Sequence, residues 1–238
     1  MAVRDELLKH KFPSVEYIVR TIKDAYQATR QQQIVDQYLK PRSINSFTDY
    51  YQMHRVLADN LLLNIQAEIE RYDMNLEIMI AGMAGPRAHI YTVADPGRSW
   101  CWDSIGFVSI GSGGLLGMHQ LISGRCHPEL RLEDVLMQVF EATRIASRAP
   151  GVGDLFDFGI IDGSGSIEIL CDRAEPLKAI AEKRKVGDDK WLSEASEFIR
   201  SLQKERNTLR RKTLLEQLGE EEESNAQPTD KKVANDGG

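Results

Sequence analysis

Apolar residues recur at three- and four-residue steps along Pro13 to Leu39, where Val15, Ile18, Val19, Ile22, Ala25 and Tyr26 are interleaved with Glu16, Lys23 and Asp24. That spacing predicts an amphipathic helix entered through Pro13-Ser14, with a more polar later part from Gln31 to Lys40. Pro41 ends it, because proline disfavours the helical conformation of the residue before it. A second helix is expected from Ser46 or Phe47 to Tyr72, with Tyr50, Met53, Leu57, Leu61 and Ile65 in one stripe. Val56, Leu62 and Leu63 widen that stripe, which predicts burial on more than one side.

The pattern then changes from period 3.6 to short runs between turn-forming residues. Leu76 to Ala81, His89 to Val93 and Phe107 to Ile110 are separated by clusters of Gly, Pro, Asp and Ser, which predicts three strands. The first run is apolar on both alternating sets and is expected to be covered on both faces. Leu115 to Ile122 is a further apolar segment, and Leu132 to Ser147 predicts a helix whose face carries Leu136, Val139, Phe140 and Thr143. Phe156 to Ile161 and Ser166 to Leu170 flank Asp162-Gly163-Ser164-Gly165, a hairpin signal. Two charged helices follow, Leu177 to Lys185 and Asp189 to Leu218, and Glu220 to Gly238 has the composition of a solvated acidic tail. Long helices on either side of short strands predict an α+β sandwich of helix and sheet layers. The expected domains are 1–173, a helical extension 174–218 and a disordered tail 219–238.

Charge narrows the functional classes. The net charge of -6 argues against a general nucleic-acid binder, which needs a basic surface to release counterions, and the basic segment Lys204, Arg206, Arg210, Arg211 and Lys212 is read as pairing with Glu220 to Glu223. No window approaches the roughly 18 apolar residues of a membrane span, and MAVRDELLKHKF lacks the apolar core of a signal peptide, so a cytoplasmic location is expected. Cys101, Cys126 and Cys171 are odd in number and widely spaced, which fits a reducing compartment.

Candidate chemistry is sparse. Gly111-Ser112-Gly113-Gly114 precedes an apolar segment but is followed by no Lys-Ser/Thr pair, so it is taken as a turn rather than a phosphate cradle. His10, His54, His89, His119 and His127 include no i, i+4 pair, and His119, Cys126 and His127 have no second ligand pair to make a zinc site, so no metal or cofactor is expected. Trp100-Cys101-Trp102 is placed on a loop, with no acid or base beside the thiol in sequence.

The order of these elements and their wording resemble the β-type subunits of the proteasome core particle and their bacterial relatives, which share the Ntn-hydrolase fold. The resemblance is carried by Ile80-Ala81-Gly82, HIYTVADPG at His89 to Gly97, FVSIGSGG at Phe107 to Gly114, the helix opening at Leu132-Glu133-Asp134-Val135 and the hairpin from Phe156 to Ile161. It covers Pro13 to Leu170. It implies a four-layer αββα sandwich, oligomeric assembly with like subunits through the helices that flank the sheets, and threonine-peptidase ancestry. Ser112 matches the family serine that supports the nucleophile, flanked by Gly111 and Gly113. Ala149 and Val152 stand where the family carries an aspartate and a serine, so a carboxylate and a hydroxyl are lost. The family's nucleophilic threonine, aspartate and lysine lie on two strands before the first helix, and nothing in MAVRDELLKHKF matches them. The expectation is therefore a non-catalytic, N-terminally incomplete subunit that acts through assembly. The alternatives are a truncated form of an active N-terminal-threonine peptidase and an adaptor that recruits partners through the C-terminal helix.

Overall fold

The computed structural model describes residues 14–53, 57–153, 155–162, 165–169 and 175–225. His10, His54, Val56, Leu170, Cys171 and the end of the expected tail lie outside them. The chain is of mixed α+β class and divides into two compact units, Met1–Phe156 with Ile161–Ser166 and Asp157–Ile160 with Ile167–Gly238.

Helix α1 spans Val15–Ile34 and begins where Ser14, in an extended conformation, accepts the Tyr17 amide on its hydroxyl. This satisfies one of the amides that a helix start leaves unpaired. The helix continues as a wider π turn over Val35–Leu39 and a tight 3-10 turn over Lys40–Arg42, stopped by Ser43 in the left-handed region. The wider turn brings Val35 and Leu39 onto the same small core as Ile44, Tyr50, Leu62 and Ile65.

The expected single helix over 47–72 is two helices, α2 at Phe47–Met53 and α3 at Asp59–Arg71. Ala58 is extended and its carbonyl accepts the Leu61 and Leu62 amides, so α3 starts afresh there.

Strands β1 (Ile78–Ala84), β2 (Arg87–Ala94) and β3 (Arg98–Cys101) form an antiparallel sheet in that order. The β1–β2 turn is Gly85-Pro86, with Gly85 at φ +60, the position of a two-residue hairpin loop that glycine accepts without strain. Ile80 pairs with Tyr91 and Ile78 with Val93, which puts these four on one face. That face packs on α1: Val15, Val19, Tyr26, Ile80 and Val93 form a buried cluster, with Ile18, Ile22, Ile78 and Tyr91 against it.

Two expectations are corrected here. Phe107–Ile110 is not a strand; the third strand of the sheet is Arg98–Cys101. The segment instead lies along a helix, where Ser109 would meet any side chain placed at Gly114 or Gly117. The first strand is also covered on one face only among the described residues. Met79 is 41% exposed and Trp100, two strands away on the same face, is 43% exposed.

Helix α4 (Gly114–Ser123) packs on α5 (Leu132–Ala146), whose Leu136, Met137 and Phe140 are buried. A two-stranded sheet follows, β4 (Phe158–Asp162) and β5 (Gly165–Ile169). In the second unit α6 (Glu175–Lys185) packs on α7 (Lys190–Asn225), burying Leu177, Ile180 and Ala181 on one and Ala195, Ile199 and Leu202 on the other. Helix α7 runs past Leu218, so Glu220 to Glu223 are helical. No helix among the described residues is long and apolar enough to cross a membrane.

Candidate functional site

Three features of the first unit carry the residues singled out from sequence. The first is the glycine turn before α4. Gly111 is left-handed, at φ +79, and its carbonyl accepts the Gly114 amide, so the chain reverses into the helix there. Ser112 is exposed at the tip. Gly113 is buried against the end of α5, where an added Cβ would lie 2.8 Å from both the Cβ and the carbonyl oxygen of Ala146. Three residues on, the buried Ala149 closes a turn by donating its amide to Ala146, and the Val152 amide donates to Ala149. The fold thus brings the Gly111-Ser112-Gly113 turn to the α5 end that leads into Ala149 and Val152. Ala149 and Val152 bring no ionisable or hydroxyl side chain to that end.

The second feature is a clasp at the other end of α1. Arg30 donates its Nε to both oxygens of Asp95, at 3.1 and 3.3 Å, and its Nη2 to the carbonyls of Tyr72 at 2.9 Å and Ile69 at 3.3 Å. Asp95 also accepts the Met74 amide at 3.3 Å. One side-chain pair therefore ties α1 to the end of α3 and to the β2–β3 turn. Gly97 in that turn, at φ +98, lies against Gln27 of α1, whose Nε2 donates to its carbonyl. The HIYTVADPG phrase thus owes its Asp95 and Gly97 to packing against α1.

The third feature is a polar cluster that sequence proximity did not reveal. His89 lies two residues from Tyr91 on β2, and Cys101 of β3 is the register partner of Tyr91, so all three share the face turned toward α1. His89 Nδ1 is 2.7 Å from an Asp103 oxygen, and the other Asp103 oxygen accepts the Ile90 amide at 2.9 Å. The Asp103 carboxyl is held below the usual range first by the Ile90 amide, against burial, and then by hydrogen bonds from His89 and Cys101. Glu16, in the first turn of α1, is also lowered, chiefly by its own backbone amide and the Ser14 hydroxyl, with a smaller effect from His89. Burial pushes the Tyr91 phenol up, and its hydrogen bond with Cys101 adds to that.

Trp100 and Cys101 are therefore the last residues of β3, not loop residues, and folding supplies the thiol with polar neighbours. Trp102 follows directly and donates its indole N–H to the buried Thr92 hydroxyl at 3.0 Å. The groups bonded to Cys101 are a phenol and a carboxylate. The His89 imidazole is bonded to Asp103. The cluster fastens the loop after β3 to β2. No family model, curated protein or solved structure matches the chain.

Among the described residues, no group of three or more His, Cys, Asp or Glu side chains could hold a metal ion. His119 and His127 are exposed, and burial pushes the Cys126 thiol up.

A pH effect follows from Asp103. Its folded value is depressed, so its contribution is fully present above the unfolded aspartate value of about 3.9 and fades as pH falls through the lower folded value. Asp103→Asn is expected to cost about 1–2 kcal/mol near neutral pH, from the lost charge-assisted bonds. It should also flatten the fall in stability below about pH 4. Urea midpoints at pH 7 and pH 3 check both, and equal losses at the two pH values would contradict the assignment.

Proposed function

We propose that the chain is a proteasome β-like subunit without peptidase chemistry, acting through assembly with like subunits into a ring or larger complex. The observation that carries this reading is the apolar surface left exposed on the side of the β1–β3 sheet away from α1, around the buried Thr92 that Trp102 covers. Met79, Ala81 and Trp100 are exposed on it, while the opposite face is closed by α1. Exposed large apolar side chains clustered on a sheet mark a surface that another layer or partner covers. In the αββα reading that layer is a second sheet.

The order of elements agrees with the same reading: helices, a three-stranded meander, two helices, a hairpin, then helices. The absence of peptidase chemistry rests on Ala149 and Val152, which supply neither the carboxylate nor the hydroxyl that the resemblance calls for beside Ser112. No nucleic-acid or membrane partner belongs to this reading, given the acidic charge.

Sedimentation velocity on the full chain at tens of micromolar, paired with a peptide-hydrolysis assay, tests it. The expected result is a species well above the 26.9 kDa of one chain that cleaves nothing. A monomer at every concentration would remove the assembly reading. Hydrolysis silenced by a threonine-directed covalent inhibitor would replace it with the enzyme reading.

A further inference from the structure

We infer that the edge of β1 that no strand among the described residues pairs with joins antiparallel to the β1 edge of a second copy of this chain, about a twofold axis at Ala81. Among the described residues β1 is an outer strand of the sheet, so every second residue from Ile78 to Ala84 turns its backbone N–H and C=O away from β2. Edge strands are usually protected by a charge, a proline or a bulge. Ile-Met-Ile-Ala-Gly-Met-Ala contains no charge and no proline, and its pairing with β2 runs through all seven residues without a bulge.

The occupant is specified by the strand's own symmetry. Antiparallel pairing about Ala81 sets Ile78 opposite Ala84, Met79 opposite Met83, Ile80 opposite Gly82 and Ala81 opposite itself. On the α1-facing side each large residue meets a small one, and on the opposite side the two Met79–Met83 pairs join into one apolar ridge. No like charges face each other anywhere along the pair, so a strand meeting itself incurs no repulsion. The same register places Pro86 of the second copy opposite Leu76. Leu76 lines an apolar groove of about 220 Å³ formed with Ile22, Tyr26, Met74 and Ile78, and Pro86 is exposed at the tip of the hairpin. The pairing would join two three-stranded sheets into one of six and leave each α1 on its own half.

This contact goes beyond the family reading, because it needs only the edge strand. The test is site-specific cross-linking of the full chain carrying Ala81→Cys with Cys101, Cys126 and Cys171 changed to serine. A short bifunctional thiol reagent at micromolar protein should convert most of the chain into a covalent dimer linked 81 to 81. The chain with Ala81 intact and its natural cysteines retained serves as the control for random collision, and should link at least tenfold less. Met79→Lys, an exposed substitution, should raise the dimer dissociation constant at least tenfold in sedimentation equilibrium.

A cysteine variant with unchanged circular dichroism that fails to link would overturn the inference, and so would a Met79→Lys chain that dimerises like the parent. Larger assemblies without the 81–81 link would sink this contact and leave the assembly reading standing. A linked species that never exceeds two copies would do the reverse for a ring.

Discussion

Arg30→Ala is expected to lower the stability of the fold by about 2–4 kcal/mol, the largest effect of any single side chain discussed. Arg30 and Asp95 are only 14% and 20% exposed, so solvent cannot take over for either. Removing the guanidinium leaves the Asp95 carboxylate with the Met74 amide and takes a donor from the Ile69 and Tyr72 carbonyls. The Arg30 guanidinium also lies over the Tyr72 ring, 5.6 Å from its centroid, and that packing goes with it. Arg30→Lys keeps the charge but not the planar fork, and should recover less than half of the loss. Urea unfolding followed by circular dichroism reads the difference. A loss for Arg30→Ala below about 1 kcal/mol, the range of an exposed ion pair, would show that the clasp is not what ties α1 to the sheet.

Gly113→Ala is the second large effect, expected at about 1–3 kcal/mol, toward the upper end. The conformation is not the obstacle, since Gly113 has φ -89 and ψ 0, which any residue adopts. The obstacle is space. The new Cβ would meet the Ala146 Cβ and carbonyl oxygen at 2.8 Å, and a backbone oxygen inside a helix end cannot step aside as a long side chain can. Ser112→Ala, one residue away and exposed, should change stability by less than about 0.5 kcal/mol. That contrast separates a packing role for the turn from a chemical one. Equal effects of the two substitutions would contradict it.

Much of the architecture was legible in the sequence because the physics that decides it is local. The three- and four-residue apolar steps from Val15 to Tyr26 lie on α1, and Ser14 caps it. Gly85-Pro86 marks the first hairpin, and the apolar runs beside it are β1 and β2. The third strand is not legible in the sequence because Arg98–Cys101 is exposed at all four residues and carries no apolar alternation. Phe107–Ile110 has strand-like composition but is half-buried alongside α4, where glycines let it approach. The break between α2 and α3 had no glycine or proline to announce it.

The site was less legible, since its connections span long stretches of chain. Arg30 and Asp95 are 65 residues apart, and His89 and Asp103 meet only once β2 and β3 are in register. Spacing along the sequence cannot display either. The same limit hid the polar surroundings of Cys101, whereas the small residues at Ala149 and Val152 could be read directly.

Assembly would bury the apolar side chains exposed on the sheet face opposite α1, and oxidative footprinting reads them directly. Met79 and Trp100 report on that face, and Tyr51, 67% exposed on α2, is a reference. If the face is buried by assembly, hydroxyl-radical oxidation of Met79 and Trp100 should fall several-fold between nanomolar and tens of micromolar protein, with Tyr51 as a constant internal standard. Oxidation of Met79 and Trp100 at the same rate relative to Tyr51 across that whole range would contradict it.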